Sequence, residues 1–308
     1  MSTRLANQGR LIDRNKQIEF TFNGKRMTGF AGDTLASALL ANDQMMVGRS
    51  FKYHRPRGLV ASGSEEPNAL VGLGTGDRFE PNQRATTTEL FPGLSAQSQN
   101  HWPSLEFDVL AINNKLSRFL TAGFYYKMFM YPRAFWKHVY EPIIRASAGL
   151  GKAPDKELKD ADTYEHFYFF ADVVVIGGGV AGLQAAKAAA ASGAKVLVLE
   201  QNAYWGGRAP VDGGTIDGDA PEAWIEKTRA ELAAMDNVTL RDRCMASGVY
   251  DHGYVLGYER LTDHAPGQGG PRHRLWRIRA KQIVTATGAI ERPLSFAGND
   301  VPGVMLAS

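Results

Sequence analysis

Residues 172–200 constrain the fold more than any other stretch of this 308-residue chain. Asp172-Val-Val-Val-Ile176 reads as a buried strand. It runs into Gly177-Gly178-Gly179-Val180-Ala181-Gly182 and then an alanine-rich helix pattern reaching Ala191. A second apolar run, Lys195-Val-Leu-Val-Leu199, closes on an acid, Glu200. A glycine pattern alone is weak. Set between a strand and a helix, with an acid ending the next strand, it predicts a βαβ unit built around a dinucleotide.

Each position has a physical reason. Gly177 permits the tight turn off the first strand, Gly179 leaves room for a pyrophosphate against the backbone, and Gly182 lets the helix pack close to the sheet. The free N–H groups and dipole of the helix start hold phosphate charge, with Ala181 nearby. Glu200, with Gln201 beside it, is placed to accept hydrogen bonds from the adenosine ribose. Its charge disfavours a 2′-phosphate, which leaves NAD and FAD open and sets NADP aside. Trp205-Gly206-Gly207-Arg208 reads as a loop placed over the cofactor, with Arg208 near the phosphates or the second ribose. Ala246 or a neighbour is expected at the adenine. Lys281-Gln-Ile-Val-Thr-Ala-Thr-Gly288 is a strand pattern ending in Thr-Gly. It is similar to the Ala-Thr-Gly strand by which two-dinucleotide flavoprotein reductases return beside the cofactor, which puts Gly288 in the candidate site.

Three regions follow along the chain. Residues 10–90 open with an alternating strand, Ile18-Glu-Phe20-Thr-Phe22, a hairpin turn at Asn23-Gly24 and a returning strand. A short helix over residues 35–41, capped by Asp33 or Thr34, comes next. Strand, hairpin, strand and helix predict a small β-grasp domain of the plant-type ferredoxin kind. Such domains hold an iron–sulfur cluster on a cysteine loop, yet residues 47–71 contain no cysteine. That loop is basic and aromatic, Arg49-Ser-Phe-Lys-Tyr-His-Arg-Pro-Arg-Gly58. It reads either as a site for an anionic group or acidic partner, or as a loop whose arginines pair with carboxylates such as Glu65 and Glu66. Residues 91–166 form an aromatic-rich connecting segment, with Phe119, Phe124, Tyr125, Tyr126, Phe129, Tyr131, Phe135, Trp136 and Tyr140 expected to fill a core or a subunit interface. Residues 152–162 read as a linker. Residues 167–308 form the dinucleotide domain, with a helix over 220–235, strands at 238–241 and 249–260, and a closing strand over 274–287. The fold class is α/β: a Rossmann-like FAD/NAD(P)-binding domain preceded by a ferredoxin-like one without its cluster.

Composition narrows the class. Hydrophobic residues are 44% and charged residues 22%, as in globular proteins. A net charge of +3 argues against nucleic acid, and no apolar run reaches the roughly 18 residues needed to span a bilayer. The amino terminus has no apolar core of an export signal. The single cysteine, Cys244, excludes an intrachain disulfide framework, a cluster held by this chain alone and a redox cysteine pair, and suits a cytoplasmic setting.

Several longer stretches carry a family resemblance. They are Gly32-Asp-Thr-Leu-Ala-Ser-Ala-Leu-Leu-Ala-Asn42, Gly48 to Gly58, Glu65-Glu-Pro-Asn-Ala-Leu-Val71, Ala122-Gly-Phe-Tyr-Tyr-Lys127 and Tyr140-Glu-Pro142, with the glycine turn following. In this order they resemble the amino-terminal part of the alpha subunit of heterotetrameric sarcosine oxidase. The resemblance implies oxidative demethylation of sarcosine to glycine, with hydrogen peroxide and either formaldehyde or, from tetrahydrofolate, methylenetetrahydrofolate. It implies noncovalent NAD on this chain, FAD on the beta subunit, FMN at the alpha–beta interface, and gamma and delta subunits as further partners. The chain alone is then expected to be inactive, and no catalytic or metal-binding residue is assigned to it. Because it stops at Ser308, it reads as a truncated alpha subunit lacking the folate half. Related opine oxidase and hydrogen cyanide synthase subunits are an alternative, but they tend to keep cysteines near the ferredoxin-like loop. A free-standing NAD(P)H-dependent flavin reductase is another, but it would need a second GxGxxG.

Overall fold

The computed structural model describes residues 2–307 other than 124–128, 147, 148, 150 and 156. Phe124, Tyr125, Tyr126 and Lys127 of the family motif lie outside the described residues. The chain forms two compact units, Met1–Ala161 with Glu291–Ser308, and Asp162–Ile290.

In the first unit, β1 (Asp13–Phe22) and β2 (Lys25–Ala31) form the expected hairpin. Asn23 and Gly24 both take positive φ, 50° and 76°, the twist a two-residue turn between strands needs. Ile18, Phe20 and Phe22 alternate into the core. Helix α1 (Leu35–Ala41) starts at Thr34, whose side chain accepts from the Ser37 N–H while the Ser37 hydroxyl accepts from the Thr34 N–H. That reciprocal cap fixes the helix start, and its buried residues Leu35, Ala38 and Leu39 pack on the same core. A short ribbon, β3 (Gly48–Arg49) with β4 (Pro56–Arg57), leaves the sheet. Strands β5 (Leu70–Leu73), β6 (Glu80–Arg84) and β7 (Ser95–Ser98) complete a five-stranded sheet in the order β2-β1-β7-β5-β6. β7 pairs parallel with β1, so residues the sequence reading gave to the connecting segment lie at the centre of this sheet. Beyond it, Phe119, Tyr131, Phe135 and Trp136 are exposed, and Tyr140 packs against Phe129 and Phe135. The described aromatics therefore do not fill this unit's core.

The second unit is a six-stranded sheet in the order β10-β9-β8-β13-β12-β11. Strands β8 (Tyr164–Ile176), β9 (Val196–Leu199) and β10 (Val238–Arg241) run parallel. β11 (Cys244–Tyr250), β12 (Tyr254–Arg260) and β13 (His273–Thr285) form an antiparallel meander, and β13 returns parallel to β8. The strand expected over 249–260 is instead a hairpin of β11 and β12. His252 and Gly253 take positive φ there, 60° and 66°, which breaks the extended run. β8 also begins earlier than the apolar run at Asp172 suggests, because its first half is aromatic and partly exposed. Helices α2 (Val180–Ala191) and α3 (Pro221–Ala233) cover one face through Leu183, Ala186, Trp224, Ile225 and Leu232, against Val175, Val196 and Val198. Val174, Ile176, Leu197 and Leu199 face the opposite cluster with Cys244, Val255, Trp276 and Ile278.

Candidate nucleotide-binding site

The glycine turn lies at the carboxyl ends of β8 and β9, where open α/β sheets bind ligands. Gly177 has φ 107°, and a Cβ on it would lie 2.3 Å from the Ala286 carbonyl oxygen just past β13. A Cβ on Gly182 would lie 1.9 Å from the Gly177 carbonyl oxygen. Both glycines are demanded by packing. Gly179 differs: it caps α2 with extended backbone, no side chain caps that helix, and a Cβ there would meet nothing within 4 Å. The open side of the turn therefore lies over the first turn of α2, whose leading N–H groups have no partner inside the helix. Ala181 is exposed there. This geometry fits a pyrophosphate and needs no added residue.

Glu200 is buried directly behind the turn, 5% exposed. Its Oε2 accepts from the Gly178 N–H at 2.7 Å and its Oε1 from the Asn202 N–H at 2.8 Å. Burial pushes its pKa up, opposed by the N–H groups of Asn202 and Gly178. Each carboxylate oxygen keeps a second lone pair, so a ribose hydroxyl can still be accepted. The sequence placed Glu200 at the ribose; the structure adds that it ties the glycine turn to the start of the next loop.

That loop packs on the turn. The Gly206 N–H donates to the Gly178 carbonyl at 2.8 Å, and Gly179 and Gly206 form a parallel bridge. The Trp205 ring lies so close to Gly178 that a Cβ there would approach it to 2.4 Å. Gly207, at φ 58°, would bring a Cβ to 3.4 Å from the Gly179 Cα. Gly182 thus meets Gly177, Gly207 meets Gly179, and Glu200 joins the same turn through Gly178. Arg208 is exposed and pairs with Asp212 at 3.0 Å. Gln201 is exposed, and its carbonyl accepts from Arg260. Ala246 sits half-buried on β11, two residues beyond Cys244, whose N–H donates to the Glu200 carbonyl at 2.7 Å. Gly288 is exposed past β13 with φ 69°. Asn202 escaped the sequence reading because its backbone N–H makes the bond to Glu200, and a backbone group leaves no residue-type signal. A shallow groove lined by Phe170, Asp172, Lys195, Arg279 and Lys281 opens beside the amino-terminal end of β9, midway along β8 and β13. That is away from the carboxyl ends of the strands, where a nucleotide is bound.

In the first unit the basic loop is spent on its own chain. Arg49 donates to the carbonyls of Leu105, His54 and Glu106 and lies 3.7 Å from Asp108. His54 Nδ1 meets Asp108 at 2.7 Å, while Arg55 and Arg57 pair with Asp300. The carboxylates are thus Asp108 and Asp300, in place of the expected Glu65 and Glu66. No cysteine lies in this unit. Cys244, in the other, is buried with its thiol pKa pushed up by desolvation, so it is held as thiol and is a poor ligand. Among the described residues no group of three or more His, Cys, Asp and Glu is placed to hold a metal, and no helix is long and apolar enough to cross a membrane. These donors do not fit an iron–sulfur cluster.

Comparison with known proteins agrees with this two-unit reading. Residues 15–101 match the family model of the 2Fe-2S iron-sulfur cluster binding domain, and residues 172–252 match that of FAD dependent oxidoreductases. The L-proline dehydrogenase of P. horikoshii shares the fold over 96% of this chain and 46% of its own, with a TM-score of 0.59 at 21% identity. The class is thus an oxidoreductase with a ferredoxin-like domain followed by a Rossmann-like dinucleotide-binding domain.

Within that class, the chain resembles the alpha subunits of sarcosine oxidases over nearly its whole length. It is 52% identical to the sarcosine oxidase alpha subunit of Rhizobium meliloti (strain 1021) over 99% of this chain and 31% of the relative. The corresponding figures for Corynebacterium sp. (strain P-1) are 37%, 96% and 26%. An opine oxidase chain of Agrobacterium tumefaciens (strain Ach5) is 33% identical over 49% of this chain and 30% of its own length. The chain spans about a third or less of the curated relatives it matches.

Proposed function

We propose that the second unit binds NAD noncovalently, as part of an alpha-type subunit in an oxidase that demethylates sarcosine. Gly177, Gly179, Ala181 and Gly182 would hold the pyrophosphate, Glu200 and Gln201 the adenosine ribose, and Gly207, Arg208, Ala246 and Gly288 the surrounding walls. The observation that carries the reading is the open side of Gly179 over α2, set between two glycines that packing forbids to change. Similarity to the alpha subunits of sarcosine oxidases along 99% of the chain supports the substrate, and only half the chain aligns with opine oxidase. In that complex, FAD and FMN come with a beta subunit, gamma and delta subunits complete the assembly, and tetrahydrofolate takes up the methyl carbon. Bound NAD supplies a dinucleotide able to accept or donate hydride; the residues named here bind and orient it. A cytoplasmic setting suits the lone buried thiol.

A second reading places FAD in this chain, favoured by the family model that residues 172–252 match. Calorimetric titration of the purified chain with NAD, NADP and FAD separates the two. NAD is expected to bind at least tenfold more tightly than NADP, since the Glu200 carboxylate repels a 2′-phosphate. Preferred binding of FAD would transfer the assignment to the second reading.

A further inference from the structure

Residues 65–71, a motif of the family resemblance, play no part in the nucleotide site. They close the loop on which ferredoxins carry their cluster, and here that loop has an anion of its own. Glu66 is 1% exposed. Its Oε2 accepts from the backbone N–H groups of Val60 and Ala61, both at 2.7 Å. Its Oε1 accepts from those of Asn68 at 2.6 Å and Ala69 at 3.1 Å. One carboxylate therefore gathers N–H groups from the two arms of the loop. The loop is further tied down by Arg84 Nε on the Glu66 carbonyl, the Ala85 N–H on the Ala69 carbonyl and the Thr86 hydroxyl on the Gly63 carbonyl. A carboxylate this buried is tolerated only when its lone pairs are filled, and charge-assisted bonds to four N–H groups do so.

Converging backbone N–H groups form the kind of nest that receives anions, iron–sulfur clusters among them, and cluster sulfurs take hydrogen bonds from their loop. We infer that Glu66 is the anionic template of this ferredoxin-type loop: a carboxylate fills the nest around which relatives with cysteines would fold on a cluster. The domain keeps the loop architecture and gives up electron transfer. It serves as a scaffold whose order depends on one internal charge.

The Glu66→Gln substitution tests this. An amide keeps the shape but turns an NH2 toward N–H donors, so one pair of bonds is lost. The thermal midpoint of the 308-residue chain is expected to fall by about 5 °C or more, with nucleotide binding unchanged. In Glu66→Ala, formate but not chloride at equal ionic strength should recover much of the loss. Hydrogen exchange on the unaltered chain supplies a reading that needs no variant: the amides of Val60, Ala61, Asn68 and Ala69 should be slow. Unchanged stability of Glu66→Gln, fast exchange at those amides, or stoichiometric iron and sulfide after anaerobic reconstitution would each overturn the inference.

Discussion

Gly179 and Gly182 lie three residues apart and make opposite demands. Gly179→Val leaves the fold nearly unchanged, because its side chain points into open space, yet it fills the pyrophosphate position. Retained nucleotide should drop to background while the denaturation midpoint stays close to that of the parent. Gly182→Ala drives a methyl group into the Gly177 carbonyl at 1.9 Å and should lower stability by about 1–3 kcal/mol or more, measured by urea denaturation. Equal behaviour of the two variants would contradict the account of the turn. Glu200 carries a pH dependence. Its folded pKa is raised, so the native state holds this proton more tightly than the unfolded chain. Its contribution to stability is then fully present below about pH 4.3 and is lost as pH rises through the raised value. Glu200→Gln lacks that loss, so the parent's advantage over the variant should shrink from pH 4 to pH 8 in parallel denaturation series. At this scale the glycine turn and its acid were legible as residue types in a fixed pattern. The role of Asn202 was not, because a backbone N–H belongs to every residue; the Ala-Thr-Gly strand end was placed beside the cofactor, but not the close approach of the Ala286 carbonyl to Gly177.

Local sequence specifies the elements it encodes directly. The β1–β2 hairpin and α1 follow from alternation, an Asn-Gly turn and a hydroxyl cap, and each forms where those signals stand. Thr34→Ala should cost about 1 kcal/mol, read from the denaturation midpoint of the first unit; no loss would mean that tertiary packing alone sets the start of α1. Elements defined by long-range pairing were harder to see. β7 is four residues, Ser95–Ser98, half of them serine, and becomes a strand because β1 and β5 flank it. The first half of β8 is aromatic without a clean period, since it pairs with the basic half of β13, which carries Arg274, Arg277 and Arg279. The hairpin of β11 and β12 turns at Asp251-His252-Gly253, which carries a weaker signal than Asn-Gly.

The whole molecule joins a ferredoxin-type unit without thiolate ligands to a dinucleotide unit with an open glycine turn. Exposed Phe119, Tyr131, Phe135 and Trp136 are of the residue kinds enriched at subunit interfaces, in keeping with the proposal of a multi-subunit oxidase. Composition could announce those aromatics but not their exposure, which depends on what the chain packs against. The central claim, that this chain holds NAD at the Gly177 to Gly182 turn, is tested most directly by denaturing the purified protein and identifying the released nucleotide by chromatography and mass. The account predicts NAD in a near-equimolar amount. Release of FAD in its place, or of no nucleotide from a folded chain that also fails to take up added NAD, would contradict it.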